Sequence, residues 1–97
     1  MMIEELKTLF VSALIGVPGV ARVHNVNSDE VVSNLEDAIN VRLDNKSYIF
    51  RAEISVMQGV YTKGIVEQIY KLINFELKKR KIKKFDLKIT IKGVIHE

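Results

Sequence analysis

The sequence predicts a small α+β protein: a two-layer sandwich with both helices on one face of a small mixed sheet. Two segments repeat apolar residues every three or four positions, near 3–17 and 62–79. Three others alternate apolar and polar residues with a period of two, near 39–43, 48–56 and 85–91. Their order is helix, hairpin, helix, strand. Both helices need a surface for their stripes, and a sheet with one apolar face supplies it.

The first helix carries Ile3, Leu6, Phe10, Ala13, Leu14 and Val17 on one stripe, with Glu4 and Glu5 in its first turn. Negative charge is favoured there because the helix N-terminus is the positive end of the peptide dipoles. It stops at GVPG, where Pro18 disfavours helical geometry at Val17 and Gly19 accepts turn dihedrals. VARVHNV (20–26) then fits a short edge strand, although Val20, Arg22 and His24 mix polarity as much as Ala21, Val23 and Asn25 do. SDEVVSNLED (28–37) offers Ser28 as an N-cap and a short helix from Asp29.

Ile39, Val41 and Leu43 face one way in the next strand, and Asp44–Lys46 forms a three-residue turn. Tyr48, Phe50, Ala52, Ile54 and Val56 make the inward face of the returning strand, with Arg51, Glu53 and Ser55 outward. The second helix runs over about Thr62–Lys79, with Val66, Ile69, Tyr70, Ile73 and Leu77 inward and Ile65 and Leu72 widening the stripe. The last strand turns Phe85, Leu87, Ile89 and Ile91 inward and Asp86, Lys88, Thr90 and Lys92 outward. The strand–helix–strand crossover is expected to be right-handed.

Ninety-seven residues, 47% of them hydrophobic, make one domain, residues 1–97, able to bury roughly 60–70% of its unfolded surface. With no cysteine in the chain, disulfides and thiolate metal sites are excluded. No apolar run reaches the roughly 20 residues a bilayer span needs. Glu4 and Glu5 occupy the positions where a secretion signal carries positive charge, so a cytoplasmic location is expected.

Charge is unevenly placed. Residues 1–70 sum to −3 and residues 71–97 to +6. Six cations lie between positions 78 and 84: Lys78, Lys79, Arg80, Lys81, Lys83 and Lys84, interrupted by Ile82. They read first as the capped end of a helix and its exposed connection to the last strand. Their second reading is contact with an anionic surface.

Gly59 and Gly64 have the spacing of a phosphate loop, but Ile65 and Val66 replace the required Lys and Ser/Thr. His24 and His96 have no second ligand at metal spacing and read as exposed side chains. Glu36 with Asp37 reads as an adjacent pair that does not converge on a cleft, and Asp29 with Glu30 as helix-start charge. No serine is placed with a base, so neither catalysis nor a cofactor is expected. Asn45–Ser47 fits the glycosylation pattern by chance. The element order echoes K-homology RNA modules, making a small RNA-binding domain that uses residues 78–84 the alternative function. Such modules need a G-x-x-G clamp between two helices, which is not read here, and the sheet turns no aromatic outward to stack bases.

Three stretches together resemble the alkaline shock protein family, small Gram-positive and mollicute proteins linked to cell-envelope stress. LFVSALIGVPGVARV resembles that family's N-terminal helix and V-P-G-V turn. AEISVMQGVYTKGIVEQIYKLI resembles its strand, Gly-Val turn and long helix, and FDLKITIKGV its closing strand ending at Gly93 and Val94. KKRKIKK replaces the family's Thr-Gly type turn, and Tyr61 and Lys63 stand where a Ser and a Pro commonly open the helix. The resemblance implies a non-enzymatic scaffold at the cytoplasmic face of the envelope, with a membrane-anchored protein partner and self-association into a homo-oligomer; the basic run, not the resemblance, suggests an accompanying weak contact with anionic lipid. Nucleic acid is not an expected partner.

Overall fold

In the computed structural model, residues 2–27 and 34–96 are described. Helix α1 spans Met2–Gly16 and buries Leu6, Phe10, Val11, Ala13 and Leu14. Val11 joins the stripe beside the expected positions, while Ile3 only flanks the core. The helix ends where expected. Gly19 has φ +100°, and a Cβ built there would lie 2.9 Å from Ile65 Cδ1 and 3.1 Å from Val60 Cγ1. Both the backbone angle and the close approach therefore call for glycine.

Four strands follow: β1 (Val20–His24), β2 (Asn40–Asp44), β3 (Ser47–Met57) and, after helix α2 (Thr62–Lys79), β4 (Phe85–Ile95). Strand β3 is central. Along one side β1 pairs antiparallel with Glu53–Val56 and β2 pairs antiparallel with Ser47–Arg51. These two short strands lie end to end on the same edge. On its other side β3 pairs with β4 in parallel, from Tyr48 opposite Phe85 to Met57 opposite Ile95. The sheet is thus mixed, as the sequence predicts, with β1 as a fourth strand.

Between β1 and β2, a short 3-10 turn, Leu35–Asp37, is capped by Asn34, whose side chain accepts a hydrogen bond from the Glu36 amide at 2.9 Å. The expected helix from Asp29, with Ser28 as its cap, lies outside the described residues. The β2–β3 turn is tighter than expected. Asp44 pairs with Ser47, leaving Asn45 (φ +49°) and Lys46 (φ +69°) as a two-residue turn. Two consecutive positive φ angles match the right-handed twist of the strands they join.

Both helices pack on the face formed by Phe50, Ala52, Ile54 and Val56 of β3. Helix α2 contributes Ile65, Ile69, Ile73 and Leu77, one residue per turn. Phe50 is fully buried, edge-on to Phe10 at 5.3 Å and to Phe85 at 6.0 Å. Phe85, Leu87, Ile89 and Ile91 pack against this core but stay partly exposed, because β4 has a neighbouring strand on one side only among the described residues. Three expected inward residues are in fact exposed: Leu43, Tyr70 and Leu72. Leu43 lies at the end of a short edge strand, and Tyr70 and Leu72 flank the narrow α2 stripe. The opposite face of the sheet is covered by no described element.

Candidate functional site

The basic run builds a specific helix terminus. Lys78 and Lys79 occupy the last turn of α2 and Arg80 is its C-cap. Lys81 then adopts the left-handed conformation, φ +60°. Its amide donates to Lys78 O at 3.0 Å, and the next amide, of Ile82, reaches back to Leu77 O at 2.9 Å. These two bonds define a Schellman motif, whose accompanying apolar contact is usual between the residues here numbered 77 and 82. Ile82 accordingly packs against the core that contains Leu77. The single apolar residue in the run is the one that anchors the turn.

The cations divide into two groups. Arg80 Nη1 donates to the Glu76 carbonyl oxygen at 3.0 Å and to Glu76 Oε1 at 3.1 Å. Lys79 Nζ lies 3.3 Å from Glu76 Oε2 and 4.4 Å from the centre of the Phe75 ring. Hydrogen bonds first from Arg80 and then from Lys79 hold the Glu76 carboxyl below its usual pKa. Lys78, Lys81, Lys83 and Lys84 are exposed and make no ion pair among the described residues. Lys84 sits beside the hairpin, its carbonyl accepting from the Tyr48 amide at 3.3 Å.

Arg80 and Glu76 also close one end of a groove between α1 and α2. This cleft of about 640 Å³ is lined by Leu9, Ala13 and Leu72 together with Glu4, Glu5, Thr8 and Ser12. Five large hydrophobic side chains on the helices are exposed: Met2, Ile15, Tyr70, Leu72 and Phe75, with Leu72 at 44% and Phe75 at 57%. Helix periodicity could have located Phe75, three residues from Leu72 and therefore on its side of α2. The groove itself depends on how two separate helices approach, which one-dimensional periodicity does not encode.

The open sheet face is polar and cation-rich. Glu53 lies between Arg51 Nη2 at 3.7 Å and Lys92 Nζ at 3.8 Å, with Arg42 and Lys88 exposed nearby in the register. His24 is half-buried rather than exposed, and its Nε2 hydrogen-bonds to the buried Ser55 hydroxyl at 2.7 Å. His96 is hydrogen-bonded to Gln58 at 2.7 Å. Among the described residues, no group of three or more His, Asp or Glu side chains is arranged to hold a metal ion.

Gly59 (φ +86°) lies in the turn before α2, whereas Gly64 is already within the helix, so the two do not form a phosphate loop. A G-x-x-G spacing does occur at Gly16–Gly19, but it joins α1 to β1 and packs Gly19 against Ile65 and Val60. It is not a clamp between two helices. No described helix is long and apolar enough to cross a membrane.

These features define a small α+β two-layer domain with an open sheet face and a groove between its helices. Comparison with protein-family models, curated proteins and solved structures finds no match to the chain.

Proposed function

We propose that this domain is a non-enzymatic interaction module that works by protein contact at the cytoplasmic face of the cell envelope. The observation that carries the reading is the α1–α2 groove, with its apolar lining and Leu72 partly exposed beside it. An amphipathic helix is the partner chemistry it fits: apolar residues along Leu9, Ala13 and Leu72, and cations toward Glu4 and Glu5. The envelope setting rests on the resemblance to the alkaline shock protein family. A membrane-anchored partner would supply such a helix.

The exposed lysines that form no ion pair among the described residues favour an accompanying contact with anionic lipid. Near an anionic leaflet each lysine contributes about 1 kcal/mol, so Lys78, Lys81, Lys83 and Lys84 together give a salt-sensitive, reversible association. The RNA-binding alternative has no comparable support, since the Gly16–Gly19 turn joins a helix to a strand rather than two helices.

The test is co-sedimentation with envelope membranes from the producing cell, comparing wild type with Leu72→Glu. The exposed side chain makes a charge tolerable to the fold, which circular dichroism checks. Loss of sedimentation with retained folding supports groove docking, and recovery equal to wild type overturns it.

A further inference from the structure

The two edges of the sheet differ. One is broken into β1 and β2, five residues each, with a register shift between Val20 and Arg22. The other is β4, eleven residues long, in unbroken register with β3 from Phe85 to Ile91 and paired with no other strand among the described residues. Short and irregular edges resist adding a further strand, whereas a long continuous edge presents a row of backbone donors and acceptors. Beside β4 runs a groove of about 410 Å³ lined by Val66, Tyr70, Phe85 and Leu87, where Tyr70 and Phe85 stack at 5.1 Å. The inward residues Phe85, Leu87, Ile89 and Ile91 are all left partly exposed at this edge.

We propose that the free edge of β4 pairs antiparallel with β4 of a second copy of this chain, with Ile89 opposite its own counterpart. The charges favour a second copy as the occupant, and this register over its immediate neighbours. In this arrangement Asp86 of each copy lies opposite Lys92 of the other, Lys88 lies opposite Thr90, and Leu87 lies opposite Ile91. Opposite residues in an antiparallel pair share a face, so acid meets base on the open side while the apolar residues meet on the helix side. Sliding the second copy by two residues one way places Lys88 opposite Lys88. Sliding it the other way places Lys88 opposite Lys92 twice.

Lysines along an edge ordinarily discourage pairing. Here they disfavour these neighbouring registers and leave this one. The β4 register shifts at Lys92, which has no partner on β3, so that Gly93 takes the outward place opposite Ser55 and the symmetric segment ends at Asp86–Lys92. The product is one continuous sheet through two copies, with the groove beside Tyr70 covered at its rim. This inference does not rest on the helix-groove reading, because the two surfaces are lined by different residues.

Sedimentation velocity across a concentration series tests it with Asp86→Lys and Lys92→Asp. Each variant alone turns both cross-strand charge pairs repulsive, and its dimer dissociation constant should rise by about tenfold or more. An equimolar mixture restores both pairs and should recover wild-type dimerisation. A wild type that stays monomeric, single variants that dimerise unimpaired, or a mixture that fails to recover would each overturn the proposal. Ile89→Cys gives a readout independent of those variants' folding, since the chain has no other cysteine. Mild oxidation should yield a disulfide-linked dimer that is absent in wild type, and no cross-linked product would likewise overturn the pairing.

Discussion

Replacing Lys81 with glycine should stabilise the domain, although it removes a charge from its most basic segment. Lys81 holds φ +60° at the end of α2. For an L-residue that conformation costs about 1–2 kcal/mol, because Cβ approaches the following carbonyl oxygen. The two bonds that close the helix, Lys81 N to Lys78 O and Ile82 N to Leu77 O, are made by backbone and survive the change. Against the relief stands the greater freedom of glycine in the unfolded chain, about 0.5–1 kcal/mol. Three cations, Lys78, Lys79 and Arg80, still complement the helix end. The net expectation is a gain of about 0.5–1 kcal/mol, or about 2–8 °C in melting temperature for a domain of this size. Urea and thermal unfolding followed by circular dichroism measure it. Lys81→Val should shift stability the other way, since a β-branched side chain is poorly accommodated at positive φ. A lower midpoint for Lys81→Gly, or an equal gain from Lys83→Gly, would refute the left-handed cap as the source of the effect.

Gly19→Ala should lose about 2 kcal/mol or more in urea unfolding, because the new methyl meets Ile65 and the backbone stays at φ +100°. Phe50→Ala should cost about 3–5 kcal/mol, enough to leave much of a domain this small unfolded, as seen in one-dimensional proton spectra. Glu76 binds its proton less readily folded than unfolded, so its stabilising contribution is complete above the ordinary carboxylate pKa and disappears as pH falls through the lowered folded value. Glu76→Gln should therefore flatten the acid limb of the stability profile, and carboxyl-detected titration of wild type should show that site below the usual range.

The core positions were readable because periodicity reports which residues share a face. Phe50, Ile54, Ile69 and Ile73 occupy the interior that their spacing implies. Tyr70 and Leu72 are exposed although their spacing implies burial, because an apolar residue beside a stripe is indistinguishable from one in it until the width of the opposing surface is known. Here the packed face of α2 is one residue per turn. The Schellman turn was hidden for a different reason. Its usual marker is glycine, and a lysine holds the left-handed position, so the segment reads as charge alone. What betrays it is Ile82, an apolar residue with no electrostatic reason to interrupt six cations. The helix groove and the half-buried His24–Ser55 bond join residues distant in sequence, and nothing local announces either one.

Strand β3 is flanked by every other strand in the described sheet: β1 and β2 share one border and β4 occupies the other. Such an arrangement has no hinge line along which a subset of strands could peel off together and remain a sheet. Amide protons in the middle of β3 should consequently exchange only when the entire domain opens, while those of β1 can be released by local fraying. A solvent-exchange experiment would therefore read global stability from Phe50 to Ile54, making this short segment an internal gauge for every substitution considered above.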